Sequence, residues 1–154
     1  MKIILKNIEK GQTVSYSRMT DEKVVDTNWQ NVTIEGCILT NCSIKNVDLS
    51  NSDVIGTTYV KSIYNNIDFT HSDICSCIAS DTKFENVNFS MSTMRDCEFN
   101  NCMFINCKFE HIAMTHTTVY PSAVSTLQYA IRIQSPVREH HSLRFFQTFI
   151  QKRY

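Results

Sequence analysis

Residues 82–111 read TKFEN VNFSM STMRD CEFNN CMFIN CKFEH when the chain is divided into groups of five. The third residue of each group is apolar, and in five of these six groups it is phenylalanine. The same division continues without a slip from Thr27 to Pro121, which gives 19 five-residue units. In all 19 units the third position is apolar or aromatic, and the first position is Cys, Ser, Thr, Val or Ile.

A five-residue period fits neither an amphipathic helix nor an alternating strand. It predicts a solenoid that turns a corner at each unit, with the first and third side chains pointing inward. The fifth position supports this prediction, because 12 of the 19 residues there are Asn, Gly or Asp, which tolerate left-handed or turn conformations. Six of the seven cysteines occupy the first position, where we expect them to act as small, buried, reduced side chains.

The repeat resembles that of the pentapeptide-repeat family, and the units VDLSN, IDFTH and VNFSM at 47–51, 67–71 and 87–91 match its pattern closely. The resemblance covers residues 27–121. It implies an all-β solenoid, a right-handed quadrilateral β-helix with four units per coil. Residues 20 apart then stack in columns, and one interior column contains Leu49, Phe69, Phe89 and Phe109.

The ends of a solenoid need caps, so we expect a single domain with three parts. Residues 1–26 are predicted to form an N-terminal β cap, in which residues 2–8 and 13–19 pair as a hairpin. Residues 27–121 form the β-helix. Residues 122–154 are predicted to form a C-terminal α-helical cap with one helix over 122–134 and a second ending near Gln151.

The charge of the chain excludes a generally basic nucleic-acid binder. Fifteen Lys and Arg residues balance 15 Asp and Glu residues, but the balance is uneven along the chain. Residues 27–121 carry five basic and ten acidic residues, whereas residues 122–154 carry five basic residues and one acidic residue. No apolar run approaches the ~20 residues of a membrane span. The apolar start is too short for a signal peptide, which favours a cytoplasmic location, although secretion as an effector stays open.

The polar side chains predict no catalytic, metal or cofactor site. The inward cysteines are spread over three columns, and Cys77 and Cys97, one coil apart, are stacked in parallel rather than in disulfide geometry. His71 and His111 are separated by Met91 in their corner column, so they cannot share a metal ion. Cys75 alone points outward, and no orienting group accompanies it and His71.

Three groups of residues are candidate contact sites. Four carboxylates on two adjoining faces are a candidate partner-binding surface, although aspartate at the second position is also part of the repeat pattern: Asp48, Asp53, Asp68 and Asp73. A second group of outward apolar residues is either a contact site or a floor for the C-terminal helices: Ile55, Val60 and Ile63. A third group in the second C-terminal helix either joins two copies as a homodimer or folds back on its own chain: Leu143, Phe145, Phe146, Phe149 and Ile150.

The resemblance implies a non-catalytic bacterial module that works by protein–protein interaction. Some family members are DNA mimics that bind type II topoisomerases such as gyrase and protect them from drugs or toxins. The acidic middle of this chain is similar to that pattern. The alternative is a secreted effector or a toxin-immunity protein that also acts by binding a protein. Neither interpretation calls for a direct contact with nucleic acid or membrane.

Overall fold

The structure is a computed structural model that describes residues 8–128, with side chains through Val119. These residues form an all-β solenoid of about five coils. Its strands are β1 (Thr13–Ser15), β2 (Arg18–Thr20), β3 (Lys23–Asn28), β4 (Thr33–Glu35), β5 (Ile38–Thr40), β6 (Ser43–Asp48), β7 (Asp53–Ile55), β8 (Thr58–Val60), β9 (Ile63–Asp68), β10 (Asp73–Cys75), β11 (Ile78–Ser80), β12 (Lys83–Glu85), β13 (Thr93–Arg95), β14 (Glu98–Lys108), β15 (Ala113–Thr115) and β16 (Thr118–Gln128).

Each coil consists of four five-residue units and has four faces. Strands pair in parallel with the equivalent strand of the next coil, so that Val14 lies beside Ile34 and Ile34 beside Val54. The first face contains β1, β4, β7, β10, β13 and β15. The second face contains β2, β5, β8, β11 and residues 98–100, and the third contains residues 23–25, 43–45 and 63–65, β12 and residues 103–105. The fourth face carries the column of residues 28, 48, 68, 88 and 108.

A left-handed residue forms each corner between two faces. Every fifth residue from Gly11 to His116 has a positive φ, and no other described residue does. The corner amide donates a hydrogen bond to the neighbouring coil, as Asn31 N does to Ser50 O at 3.1 Å and Gly36 N to Ile55 O at 2.8 Å. The predicted turn role of the fifth position is therefore confirmed.

The third-position side chains fill the interior. All of them from Val14 to Val119 are buried except Tyr59, which is half-buried. The predicted ring column is present, since Phe89 stacks on Phe69 at 5.3 Å between ring centroids and on Phe109 at 5.1 Å. A second column stacks Phe84 on Tyr64 and Phe104, and edge-on contacts such as Phe84–Phe89 join the two columns. The aromatic columns make one continuous core.

Polar first-position side chains hold neighbouring coils together by donating hydrogen bonds to backbone carbonyls. The Ser72 hydroxyl donates to Leu49 O at 2.7 Å, and the Cys107 thiol donates to Phe84 O at 3.4 Å. The equivalent contact, to a third-position carbonyl of the preceding coil, recurs for Cys102 and Thr117. Cysteine, serine and threonine are interchangeable here because each is small and carries a donor.

The repeat begins earlier than the sequence analysis predicted. Residues 13–19 were expected to be one arm of a hairpin, but β1 and β2 pair in parallel with β4 and β5 of the next coil. Val14, Met19 and Val24 are buried at the third position. The hairpin prediction is therefore wrong for residues 13–19, which belong to the first coil. The other predicted arm was residues 2–8, of which residues 2–7 lie outside the described residues.

The other end of the described chain is also a strand. Residues 122–128 were predicted to begin a helix, but they belong to β16, which pairs in parallel with β14. The last left-handed corner is His116. Pro121, counted as the nineteenth corner, has a ring that restricts φ to negative values and so cannot repeat this conformation. The pairing of β16 is accordingly irregular, with register shifts beside residues 100–107. The rest of the predicted C-terminal helices lies outside the described residues.

The ring column predicts a large effect for Phe89→Ala. Phe89 is 2% exposed and has a stacked ring on each side, so removing it should lower the free energy of unfolding by about 3–5 kcal/mol. Urea denaturation measures the change, with exposed Met91→Ala as the control that should have little effect. A loss as small as that of the control would contradict the observed packing.

A stabilising substitution is predicted at Tyr64. Its hydroxyl is buried and has no hydrogen-bond partner among the described residues, and burial raises the pKa of this phenol well above its usual value. Tyr64→Phe keeps the stacked ring and removes the unpaired hydroxyl, so the free energy of unfolding should rise by about 1 kcal/mol. The reciprocal change Phe104→Tyr, in the same column, should lower it. Destabilisation by Tyr64→Phe would show that the hydroxyl has a partner.

Burial also predicts which thiols react. Burial raises the pKa of Cys102 and of Cys107 to about 11, and six of the cysteines are buried whereas Cys75 is half-buried on the outside. At pH 8 iodoacetamide should label Cys75 in the native protein and all seven thiols after unfolding without reductant, as counted by mass spectrometry. Cys75→Ser should abolish native labelling. Three fixed disulfide bonds in the unreduced protein would contradict the prediction.

Candidate functional site

The four predicted carboxylates lie in two columns on adjoining faces, as the sequence analysis expected. Asp48 is in register with Asp68 on the fourth face, and Asp53 is in register with Asp73 on the first face. Neighbouring strands are about 4.8 Å apart, so each column brings two carboxylates close together. Corner residues Asn51 and His71 separate the two columns.

Asp48 and Asp68 are held in fixed orientations by local hydrogen bonds. Each accepts a hydrogen bond at 2.9 Å from the backbone N–H two residues later, in Ser50 and Thr70 respectively. Asp48 also accepts one from Gln30 Nε2 at 2.6 Å. Burial opposes ionisation of Asp48, but the hydrogen bonds from Ser50 and Gln30 outweigh it and lower the pKa of this carboxyl. The hydrogen bonds therefore favour the charged form of Asp48, and both carboxylates are already oriented before a partner binds.

The first-face column, Asp53 and Asp73, carries less unpaired negative charge than the sequence predicted. Asp73 accepts hydrogen bonds of 2.6 Å from Thr93 and from the Arg95 guanidinium, which forms an ion pair with it. Asp53 is exposed, and its carboxylate has no hydrogen-bond or ion-pair partner among the described residues. Within the described part of the chain, the surface thus presents three carboxylates without an ion pair and one paired carboxylate.

A groove of about 540 Å³ contains two of these carboxylates and was not predicted from the sequence. One wall is a column of corner asparagines, and Asn66 Nδ2 donates to Asn46 Oδ1 at 3.0 Å. The other wall is the column Asp48, Asp68, Asn88 and Lys108, in which Lys108 lies two coil steps from Asp68. The sequence feature that could have predicted the groove is the recurrence of asparagine at the fifth position in successive coils: Asn46, Asn66, Asn86 and Asn106. The groove offers carbonyl and carboxylate oxygens to a donor-rich ligand such as a lysine or arginine side chain.

The predicted apolar contact residues do not form one surface. Ile55, Val60 and Ile63 lie on β7, β8 and β9, which belong to three successive faces. The left-handed corners at Gly56 and Lys61 separate them. The predicted dimer residues Leu143, Phe145, Phe146, Phe149 and Ile150 lie outside the described residues.

The cysteines and histidines occupy the predicted positions. Cys37, Cys77 and Cys97 share one interior column, Cys42 and Cys102 another, and Cys107 a third, as the recurring carbonyl contacts show. His71, His111 and His116 are exposed corners, and His116 Nδ1 lies 3.3 Å from Asp96 Oδ1. Within the described residues no three His, Cys, Asp or Glu side chains cluster to hold a metal ion.

Comparisons with known proteins find solved structures of similar fold. No model of a known protein family matches the sequence, and no curated protein matches it. Among solved structures, the cyanobacterial pentapeptide repeat protein Rfr23 from Cyanothece 51142 is 12% identical, with a TM-score of 0.46 over 72% of this chain and 90% of that chain. A pentapeptide repeat protein from the Arabidopsis thaliana thylakoid lumen is 13% identical, with a TM-score of 0.39 over 71% and 70%. QnrB1, a plasmid-mediated fluoroquinolone resistance protein, is 11% identical, with a TM-score of 0.37 over 77% and 88%.

The molecule's own geometry determines its fold class. Each coil is divided into four units of five, with third-position residues inside. Each unit ends in a left-handed residue, from Gly11 to His116. No described segment forms a helix long and apolar enough to cross a bilayer. With this repeat in both sequence and structure, the described residues have the fold of a pentapeptide-repeat β-helix.

Proposed function

We propose that the chain is a non-catalytic binding module whose acidic surface, Asp48, Asp53, Asp68 and Asp73, binds a basic protein surface. The single observation that carries this proposal is the pair Asp48 and Asp68 in the wall of the groove, each held in orientation by a backbone hydrogen bond. Two carboxylates in one column, already oriented by backbone hydrogen bonds, bind cationic side chains at little entropic cost.

The finer part of the proposal is that the partner is a type II topoisomerase. Its DNA-binding surface is basic because it contacts phosphates, and regularly spaced carboxylates on a rigid rod are suited to that surface. The rigidity comes from the coil stack, in which Asp48 and Asp53 are joined by one corner. A basic toxin is the other partner class that the same chemistry fits, as an immunity protein requires.

Replacing all four aspartates by asparagine tests the acidic surface. Asparagine keeps the local hydrogen bonds, since Asn88 Oδ1 accepts from Ser90 N at 3.1 Å and Asn28 Oδ1 accepts from Gln30 N at 3.0 Å in the same column. The variant should therefore fold normally. Its affinity for purified DNA gyrase, measured by calorimetry at low salt, should fall at least about tenfold because the surface loses its charge.

The matched control makes the same change in net charge on the third face and on the corners that border the second face, through Asp21→Asn, Asp81→Asn, Glu85→Gln and Asp96→Asn. It should bind like the unchanged protein. Equal affinity of the four-aspartate variant and the unchanged protein would contradict the acidic surface. If the unchanged protein does not bind gyrase but retains a basic protein from a bacterial lysate through the same aspartates, the topoisomerase is the wrong partner.

A further inference from the structure

The second face differs from the other three in having no charge in its middle. Its outward side chains in the three central coils are all neutral: Ile38, Thr40, Thr58, Val60, Ile78 and Ser80. Ile78 is 43% exposed. At the same level, each other described face has outward charges, such as Asp53 on the first, Lys45 on the third and Asp48 on the fourth.

Opposite charges lie at the two ends of this neutral surface. The second-position column of the face is in continuous parallel register through Arg18, Ile38, Thr58, Ile78 and Glu98. Arg18 and Glu98 are four coil steps apart, about 19 Å at ~4.8 Å per step, so they cannot pair within one chain. Arg18 has no ion-pair partner among the described residues, and Glu98 accepts one hydrogen bond, from Asn100 at 2.7 Å.

The column is therefore complementary to its own inverted copy. Thr58 is the midpoint, an isoleucine lies one coil away on each side, and opposite charges lie two coils away. The neighbouring fourth-position column offers no opposing charge, because it contains Thr20, Thr40, Val60, Ser80 and Asn100. Isologous dimers need this kind of self-complementary surface.

We infer that the second face is a self-association surface, on which two copies pack face to face about a two-fold axis that runs along β8. The two solenoids are then antiparallel. Arg18 of each copy meets Glu98 of the other, Ile38 meets Ile78, and Thr58 meets Thr58. The parallel arrangement is disfavoured, because its two-fold axis runs along the solenoid and turns the second-position column against the fourth-position column. Arg18 then lies opposite Thr20 and Glu98 opposite Asn100, so neither charge finds an opposite charge.

The edges of the face are compatible with close approach. At one edge the corner residues at the central levels are Gly36, Gly56 and Ser76, and the exposed ring of Tyr16 lies over Gly36, so this edge carries no charge at the central levels. At the other edge Lys61 faces Lys61 of the second copy, but Asp81 of that copy is one coil step away. The fourth face, with Asp48 and Asp68, lies on the opposite side of each coil and stays accessible.

The size of the surface sets the expected strength. The face and its corners cover on the order of 400 Å² per copy, about half of the ~800 Å² per partner of a standard interface. We therefore expect a weak equilibrium between monomer and dimer that becomes evident at high micromolar concentration and weakens as salt screens the two Arg18–Glu98 pairs.

Charge reversal tests the antiparallel arrangement by sedimentation equilibrium of the full chain. Arg18→Glu alone and Glu98→Arg alone each turn two attractions into two repulsions, so each should weaken self-association at least about tenfold. The double variant Arg18→Glu/Glu98→Arg should recover the original association. An equimolar mixture of the two single variants should form a heterodimer. A double variant that stays as weak as the single variants, or a mixture that stays monomeric, overturns the proposal.

A substitution on the axis provides a second test. Thr58→Lys brings two like charges together at the centre of the interface, and the second position accepts lysine, as Lys23 and Lys83 show. Ser43→Lys on the third face is the matched control and should associate normally. A monomer for the unchanged protein at all concentrations, or undiminished association of Thr58→Lys, overturns the proposal. In the latter case the contact lies elsewhere, residues 129–154 included.

Discussion

The left-handed corner at every fifth residue is the constraint on which the rest of the solenoid depends. An L-residue pays roughly 1–2 kcal/mol to adopt this conformation, and 19 of the 22 described corners are not glycine. The cost is offset because the corner turns the chain by one face and directs its amide at a carbonyl of the next coil, as Asn31 and Gly36 do. Asparagine ladders such as Asn46–Asn66 add side-chain hydrogen bonds along the corners. One unfavourable backbone conformation thus produces both the four-sided coil and its stacking.

Because a corner recurs every five residues, each position of the unit has the same structural role in every coil. The third position supplies the aromatic columns, as Phe89 shows with a ring above and below it. The first position supplies small donors to buried carbonyls, as Cys107 and Ser72 do. The second and fourth positions point outward, so their side chains are not constrained by the core. Surface chemistry can therefore differ from face to face on an unchanged scaffold.

The sequence predicted the parts of the structure that follow from strict periodicity. The interior rings, the inward cysteines and the registers Asp48–Asp68 and Asp53–Asp73 all follow from the stacking of equivalent positions in successive coils. The first coil escaped prediction because Gln12 and Glu22 occupy its first position and Tyr16 one of its corners, none of which is typical of the unit. Residues 122–128 were misassigned because apolar residues at Val124 and Leu127 fit a helix as well as a strand. The Asp73–Arg95 pair escaped because it depends on rotamers across two strands rather than on the repeat.

Opposite faces of the same coils have different chemistry, and this matters for how the molecule can bind. The fourth face carries Asp48 and Asp68 in a groove, whereas the second face carries Ile38, Thr58 and Ile78. If the second face joins two copies, their anionic grooves point away from each other. The dimer then offers two equivalent acidic surfaces on opposite sides. A partner with two basic sites gains avidity from the second contact only if those two sites face each other across a cleft that holds the dimer. Self-association through the second face therefore also sets the number of acidic grooves that a partner meets. The corners of the four-sided coil, rather than a linker, set the directions in which those grooves point.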